Sequence, residues 1–301
     1  MSAGSRDRTA LFGRLGVLAA AALFSTGGAA IKAASISGWQ VASFRAGIAS
    51  LALFVLLPAA RRWPTPRVLA VSAAHATTMI LFVLSNKLTT AASTIFLQST
   101  APLYILLLSP WLLHEKVRRR DLVFIAILAV GLSCFFLGLD PASATAPRPL
   151  LGDGLALLSG LFWGLTVMGL RALGKRDGSA ASATLWGNAI ACLVCLPLAL
   201  PVAAMGGKDL AVVLYLGIVQ IAVAYVCLTS GLHHVTALEA SLLLFLEPVL
   251  NPIWAWWVHG EQPSRWSLTG GAVILAATLV KTWRDSAGQP PPIPEGEPHG
   301  S

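Results

Sequence analysis

The chain has 301 residues, of which 56% are hydrophobic and 11% are charged, and its mean hydropathy is +0.74. Because a soluble domain carries about 25% charged residues, this composition excludes an ordinary soluble domain and indicates a protein that lies in the lipid bilayer. The formal net charge is +8. The basic residues lie in short segments between apolar runs, so the charge indicates membrane topology, and no nucleic-acid partner is expected.

Ten apolar runs along the chain are long enough to cross a bilayer, since a spanning helix needs about 20 mainly apolar residues. A β-barrel would instead alternate apolar and polar residues over about ten positions. The sequence therefore predicts an all-α integral membrane protein with about ten transmembrane helices. The runs lie at 12–32, 38–58, 67–86, 89–113, 121–139, 151–171, 180–203, 209–230, 236–258 and 266–283.

The two ends of the chain are expected to lie outside these helices. Arg6 and Arg8 precede the first run and Arg14 lies at its start, as in a secretory signal peptide. That run is longer than a usual signal core and has a counterpart in the second half, so we interpret it as a span. Residues 1–11 are then a cytoplasmic N-terminal tail. Residues 285–301 are rich in Pro and Gly, cannot bury apolar area, and are predicted to be disordered.

The basic residues also predict the orientation. With a cytoplasmic N-terminus, 15 of the 21 Lys and Arg residues fall in cytoplasmic segments, five fall in outer segments, and Arg45 lies inside a span. This bias agrees with the positive-inside rule. It predicts a multi-pass protein of the plasma (inner) membrane with both termini in the cytoplasm.

The second half of the chain repeats the first at a fixed offset of 146 residues. Each half has five spans, an odd number, so the second copy must sit upside down relative to the first. The sequence thus predicts two inverted five-helix repeats, at 12–139 and 151–283, which is an architecture of secondary transporters. The coinciding pairs include Thr90 and Thr236, Pro102 and Pro248, Trp111 and Trp257, and Glu115 and Glu261.

Several stretches carry a resemblance to a known family. The first half contains SFRAGIASLALF in the second span and TTAASTIFLQSTAPLYILLLSPWLLHEKV across the fourth. The second half contains TALEASLLLFLEPVLNPIWAWWVHGEQPS and then GGAVILAATLV. The chain resembles the EamA-like family of the drug/metabolite transporter superfamily from about residue 12 to 284. The resemblance implies ten helices, two inverted repeats and a central cavity, and it does not fix the substrate.

Glu247 is the first candidate for a substrate site. An ionisable group at membrane depth costs about 2.5–3.5 kcal/mol, so it is a functional candidate by default. Glu247 lies in the middle of the ninth span, and Asn251 follows one helical turn later on the same side. Pro248 and Pro252 remove backbone donors and should bend this helix. The alternative is a Glu that satisfies a polar group on a neighbouring helix.

Gln98 lies near the middle of the fourth span, before Pro102, and the repeat places it across from the ninth span. It could bind a substrate because its amide both donates and accepts hydrogen bonds. The alternative is a hydrogen bond between helices, worth about 0.6 kcal/mol in membranes.

Arg45, in the second span, matches a basic residue that the family carries there. It could meet an anionic substrate group or a carboxylate such as Glu247, or it could snorkel to the outer headgroups. Trp163 could line a cavity or serve in aromatic packing. The remaining polar candidates for the cavity are Asn86, Asn188, Gln220 and Tyr225.

Other apparent motifs predict no chemistry. Cys192 and Cys195 form C-x-x-C inside an apolar helix, without the further ligands that a zinc site needs. Glu115 and Glu261 lie at span ends, where pairing or capping is expected. The sequence has no P-loop, no Ser/His/Asp set and no Rossmann glycines. No metal and no cofactor are therefore expected.

The leading interpretation is a secondary transporter of small molecules, and the family resemblance implies an exporter of amino acids or related metabolites. A desolvated midplane carboxylate can take up and release a proton, which would allow proton coupling; exchange without an ion is the alternative. The second function class is an intramembrane lipid-modifying enzyme, which would need catalytic polar residues near one headgroup plane. Since the polar residues lie near the midplane, no enzymatic activity is expected. The expected partners are a small-molecule substrate and the bilayer, and a homodimer is left open.

Overall fold

A computed structural model of the chain describes residues 3–112, 119–137, 142–173, 179–202 and 205–287. These ranges are almost entirely helical and contain no β-strand, only an isolated bridge between Ser143 and Ala146. The prediction of an all-α protein is confirmed. The predicted pairing or capping by Glu115 lies outside the described residues.

Fourteen α-helices follow one another in the described part of the chain, together with a 3-10 turn at Pro58–Arg61 and a π-helical segment at Tyr215–Val223. The α-helices are α1 (Ala3–Ser25), α2 (Gly27–Ala33), α3 (Gly38–Leu56), α4 (Pro66–Leu88), α5 (Ala91–Gln98), α6 (Ala101–Leu112), α7 (Arg119–Leu137), α8 (Pro149–Leu173), α9 (Ser179–Ala199), α10 (Gly207–Leu214), α11 (Ala224–Leu232), α12 (Ala237–Leu244), α13 (Leu246–His259) and α14 (Arg265–Ala287).

Eight helical segments within the described ranges are long and apolar enough to cross a membrane. Four of them combine two or more of the shorter helices. The predicted fifth and tenth spans correspond to α7, whose apolar part is only Asp121–Phe135, and to α14, and these two helices pack against each other. The eight spans are Leu11–Ala33, Gly38–Leu56, Pro66–Leu88, Ala91–Leu112, Pro149–Leu173, Ala180–Ala199, Gly207–Leu232 and Glu239–His259.

Loops join the helices at two opposite ends of the bundle. At the end where α1 and α9 begin, the Ser182 hydroxyl and the Trp186 indole both donate to the carbonyl of Arg62. We call this end the basic end. At the other end, Lys32 in α2 donates to the carbonyl of Thr89, directly after α4. We call this the Lys32 end.

Two of the spans are interrupted at matching positions. Thr90 caps α5 by accepting a hydrogen bond from the Ser93 amide, and Thr236 caps α12 in the same way. Each of these helices has eight residues and ends shortly before a proline, Pro102 or Pro248. Because proline lacks an N–H and its ring clashes with the carbonyl four residues earlier, the helix breaks there. The predicted bend of the ninth span is therefore present, at Phe245, whereas α13 continues through Pro252.

Both predicted tails are partly helical. The first helix begins at Ala3, so most of the segment 1–11 extends α1 beyond the apolar run. The last helix continues through Ala287, and residues 285–287 of the predicted disordered tail therefore belong to α14. A helix can extend beyond its apolar residues, because its hydrogen bonds are made by the backbone. Residues 288–301 lie outside the described part of the chain.

Candidate functional site

Arg45 in α3 is buried inside the helix bundle, with 2% of its surface exposed. Its Nη2 donates to the carbonyl of Met79 in α4 at 3.3 Å and lies 3.8 Å from the Met79 sulfur. In the described part of the chain, no carboxylate pairs with it. The burial excludes the alternative in which Arg45 snorkels to the headgroups. A buried guanidinium without an acid retains donors for an anionic group.

His75 in α4 lies next in this row of polar side chains. It is 2% exposed, and the charge of Arg45 acts on its ring. The Asn188 amide nitrogen lies 3.4 Å from His75 Nε2 and donates to the carbonyl of Thr184 at 2.9 Å. The Asn188 oxygen is buried and has no hydrogen-bond partner. The two side chains form a polar pair, of which His75 lies within electrostatic reach of Arg45.

Tyr225 in α11 continues the row. Its ring lies edge-on to His75, with 6.4 Å between ring centroids, and edge-on to Phe24 at 5.3 Å. The carboxylate of Glu247 acts electrostatically on the Tyr225 hydroxyl. Tyr225 therefore connects the His75–Asn188 pair to the ninth span.

Glu247 stands in the first turn of α13, directly after the break at Phe245. The free N–H groups at a helix N-terminus favour a negative charge, so the break provides a position for this carboxylate inside the span. Among the described residues, Glu247 has neither a hydrogen bond nor an ion pair. Its position leaves the carboxylate able to bind a cationic group or a proton.

These contacts, together with the electrostatic influence of Arg45 on His75 and of Glu247 on Tyr225, define a polar row that runs through five helices and carries a positive charge near one end and a negative charge at the other. A molecule with both charges could bind along it with each charge compensated. The polar row consists of Arg45, His75, Asn188, Tyr225 and Glu247.

Asn251 lies one turn beyond Glu247 but belongs to a second cluster. Both of its side-chain polar atoms are buried without a hydrogen-bond partner, and so is Asn86 Oδ1. A Cβ atom at Gly28 would lie 2.7 Å from Asn251 Oδ1 and 3.0 Å from Asn86 Oδ1. Gly28 therefore leaves the room that these two amides occupy. The Asn86 amide nitrogen donates to the carbonyl of Phe82. The three buried polar atoms that have no partner require a water molecule or a ligand group.

Two other predicted site residues lie elsewhere. The Gln98 amide donates to Ser159 Oγ at 2.8 Å, and Ser159 donates to the carbonyl of Thr78. This is the alternative of a hydrogen bond between helices, and it directs Gln98 toward α8. Trp163 is partly buried in α8, and its indole makes no hydrogen bond within the described residues.

His75 was not among the sequence-based candidates. Its signal was present, since it is the one titratable side chain in the interior of the run 67–86. The rule that picked out Glu247, namely that an ionisable group at membrane depth is a functional candidate, would have found it too. Its partners Asn188 and Tyr225 come from other helices and could not be identified from the spacing.

A groove of about 440 Å³ lies on the outside of the bundle, between α3 and α9 at the basic end. Its polar lining includes Ser50 and Arg61, and the rest of its wall includes Leu51, Phe54 and Trp186. It has no Asp, Glu or His that could serve as a general acid or base, so it does not favour the enzyme alternative. In the described ranges, no three His, Cys, Asp or Glu side chains converge on one point as a metal would require.

Comparison with known proteins adds to this geometry. The model of the EamA-like transporter family matches residues 11–137 and again residues 150–283. Two proteins of Archaeoglobus fulgidus, both named as uncharacterized transporters, are 26% identical to the chain. One matches over 69% of this chain and 73% of its own length, and the other over 75% and 78%.

A solved crystal structure is also similar. Its likeness covers 91% of this chain and 98% of the other, with a TM-score of 0.61 and 19% sequence identity. At this identity the likeness concerns the fold alone. The family match covers most of the chain and includes every residue of the polar row.

Proposed function

The chain belongs to the EamA-like transporter family, and from this premise we propose that it is a secondary transporter of small zwitterions such as amino acids or related metabolites. The observation that carries the proposal is the polar row. Arg45 and Glu247 are both without an ion-pair partner in the described residues, although both lie in membrane spans. Leaving such charges uncompensated in a membrane is costly, so a bound substrate with the opposite charges would stabilise both.

In this proposal the substrate carboxylate binds the Arg45 guanidinium, and its ammonium group binds Glu247. Asn188 and Tyr225 lie between them and offer hydrogen bonds to the polar groups of the substrate. Desolvation disfavours a charged Glu247 when no cation is bound, so proton uptake by Glu247 would accompany substrate release. The direction is export, which the family resemblance implies.

The proposed architecture is two inverted five-helix repeats with ten spans. Its support is the agreement of helix starts at the 146-residue offset, where Ala91 at the start of α5 matches Ala237 at the start of α12. Inverted repeats allow a substrate site at the bilayer midplane to open to each side in turn. The proposed orientation has the basic end in the cytoplasm of a cell whose plasma membrane holds the protein, as the distribution of basic residues suggests.

The test is Glu247→Gln in proteoliposomes. The first step is a panel of labelled amino acids, matched against the corresponding amines and carboxylic acids that lack one of the two charges. We expect the zwitterions to be transported and Glu247→Gln to lose transport or its pH dependence, because Gln keeps the shape and hydrogen bonding but cannot ionise.

Glu239→Gln is the matched control. Glu239 lies in α12 of the same span, but it is partly exposed and pairs with Arg14, so its neutralisation should leave the pH profile unchanged. Wild-type rates with an unchanged pH profile in Glu247→Gln would exclude a role of this carboxylate in coupling.

A further inference from the structure

A buried ion pair at the Lys32 end joins the first span to the ninth. Lys32 Nζ lies 3.0 Å from Glu261 Oε1, and the two side chains are 3% and 2% exposed. The same ammonium donates to the carbonyls of Thr89 at 2.7 Å and Thr145 at 2.5 Å. The Lys32 ammonium therefore links α2, to which it belongs, with the end of α4, the loop before α8 and the segment after α13.

The carboxylate of Glu261 makes a second link. Its Oε2 accepts a hydrogen bond from the Ala91 amide at 2.8 Å, at the first residue of α5. A carboxylate at a helix N-terminus is favoured by the free N–H groups and by the helix dipole. Glu261 thus both pairs and caps, and it ties the ninth span to the fourth as well as to the first.

Further polar contacts join neighbouring helices to the first span at the Lys32 end. The Lys87 ammonium donates to the carbonyl of Ala34, and Asp209 accepts hydrogen bonds from the amide and hydroxyl of Ser35. The His259 ring contributes as well, since its Nε2 lies 2.7 Å from a backbone carbonyl of α2. These contacts surround the first span where it ends, close to Asn86 and Asn251, whose buried oxygens have no hydrogen-bond partner.

We propose that Lys32 and Glu261 are the gating residues of the Lys32 end, and that the pair must separate each time this end opens during transport. The proposal rests on the function proposed above. In the closed state the two ions compensate each other away from water; in the open state each is hydrated. Because the cost of burying an ion pair roughly offsets the attraction within it, the pair can separate without a large net penalty. A gate that opens and closes repeatedly needs this property.

Neutralising one partner of the pair should favour the open state of the Lys32 end. The remaining ion is then buried and uncompensated in the closed state but still hydrated in the open state. The closed state alone is destabilised, so the equilibrium shifts toward opening of the Lys32 end. Neutralising both partners removes the uncompensated ion and should return the equilibrium toward the closed state.

The experiment measures access to a reporter cysteine below the gate. Asn86→Cys is introduced into the full chain after its four native cysteines have been replaced by alanine. A membrane-impermeant thiol reagent is applied to right-side-out and to inside-out membrane vesicles. We expect Lys32→Met and Glu261→Gln each to raise the labelling rate from the outer face about tenfold or more, since loss of one partner of a buried pair is strongly destabilising. Labelling from the inner face should not rise.

Two controls test whether the uncompensated buried charge causes the rise in labelling. The double variant Lys32→Met, Glu261→Gln should return outer labelling to within about threefold of the parent, because no buried charge remains. Arg14→Gln, at the exposed pair of the basic end, should leave outer labelling unchanged. If one single variant does not fold, the other single variant and the double variant still decide the question.

Outer labelling that stays at the parent rate in the folded single variants would overturn the proposal. An equal rise from both faces would overturn it as well, since that pattern indicates a loosened fold and not an opened gate. The labelling needs no substrate, so a failure of zwitterion transport and a failure of the gate are separate results.

Discussion

The same two spans, the first and the ninth, are joined by an ion pair at each end of the bundle, and the two pairs differ in their surroundings. At the Lys32 end, the Lys32 and Glu261 side chains are 3% and 2% exposed. At the basic end, the Arg14 and Glu239 side chains are 53% and 32% exposed, although they lie only 2.5 Å apart. The ion pair at one end of this helix pair is buried, and the ion pair at the other end is exposed to solvent.

The difference shows that contact distance alone does not measure what an ion pair contributes. Water screens the Arg14–Glu239 pair and can replace either partner, so this pair contributes little. Neither partner of the Lys32–Glu261 pair can be replaced by water while the end is closed, and each ion depends on the other. The structure thus has a buried ion pair at the Lys32 end and a solvent-exposed ion pair at the basic end.

The largest expected effect is the difference in stability between two variants, each of which neutralises one residue of one ion pair. Lys32→Met should lower the free energy of unfolding in detergent micelles by up to about 3–5 kcal/mol, because in the closed state it leaves the Glu261 carboxylate buried without its partner. Arg14→Gln should lower it by no more than about 1 kcal/mol, because the pair is exposed. The double variant Lys32→Met, Glu261→Gln should recover most of the loss. Similar losses in Lys32→Met and Arg14→Gln would remove the distinction between the two ends.

A smaller effect is expected from packing at the Lys32 end. A Cβ atom at Gly152 in α8 would lie 2.6 Å from Thr89 Cβ and 2.7 Å from the Thr89 backbone nitrogen. The backbone cannot rotate away as a side chain can, so Gly152→Ala should cost about 1–3 kcal/mol of stability.

Gly154, two residues further along the same helix, provides the matched control. A Cβ atom there would meet nothing within 4 Å. Because alanine is a better helix former than glycine, Gly154→Ala should stabilise the protein by about 0.5–1 kcal/mol. Unfolding of the two variants in the same micelles measures both effects, and a loss of equal size at Gly154 would show that the tight contact at Gly152 is not the cause.

Much of the fold followed from local signals. Apolar runs of bilayer length predicted eight spans that the structure contains, and proline predicted the bend of the ninth span. The threonines that cap α5 and α12 are signals of the same local kind, although they entered the sequence analysis only as landmarks of the repeat. These signals are local because capping and proline act within one or two turns. The count of ten spans and the inversion of the repeats stay predictions.

The candidate site was less predictable, because its contacts join residues that are distant in sequence. Glu247 was selected by its position in an apolar run, and that criterion needs no knowledge of neighbours. Gln98 met a similar criterion, but Ser159 on α8 satisfies its amide. Lys32 and Glu261 are 229 residues apart, and each looked like an ordinary residue at the end of a span. Burial of a polar residue at a helix end depends on which loops cover it, which the sequence pattern does not specify.

The smallest expected effect concerns the two matching helix caps. Thr90 Oγ1 accepts a hydrogen bond from the Ser93 amide at 3.0 Å, and Thr236 Oγ1 accepts one from the Glu239 amide at 3.2 Å. Replacing either threonine by alanine removes the same kind of bond, which is worth about 0.5–2 kcal/mol. Thr90 is buried and Thr236 is exposed, so water can reach the freed amide only at the second position.

Thr90→Ala should therefore fall near the upper limit of that range, about 2 kcal/mol, and Thr236→Ala near the lower limit, about 0.5 kcal/mol. The measurement is the free energy of unfolding of both variants in the same micelles. Thr90→Ser and Thr236→Ser are the controls, because serine loses the methyl group but keeps the hydroxyl that caps the helix. If Thr90→Ser were as destabilised as Thr90→Ala, the lost methyl group would be responsible. If Thr236→Ala lost as much stability as Thr90→Ala, solvent would not distinguish the two ends in the way that the two ion pairs suggest.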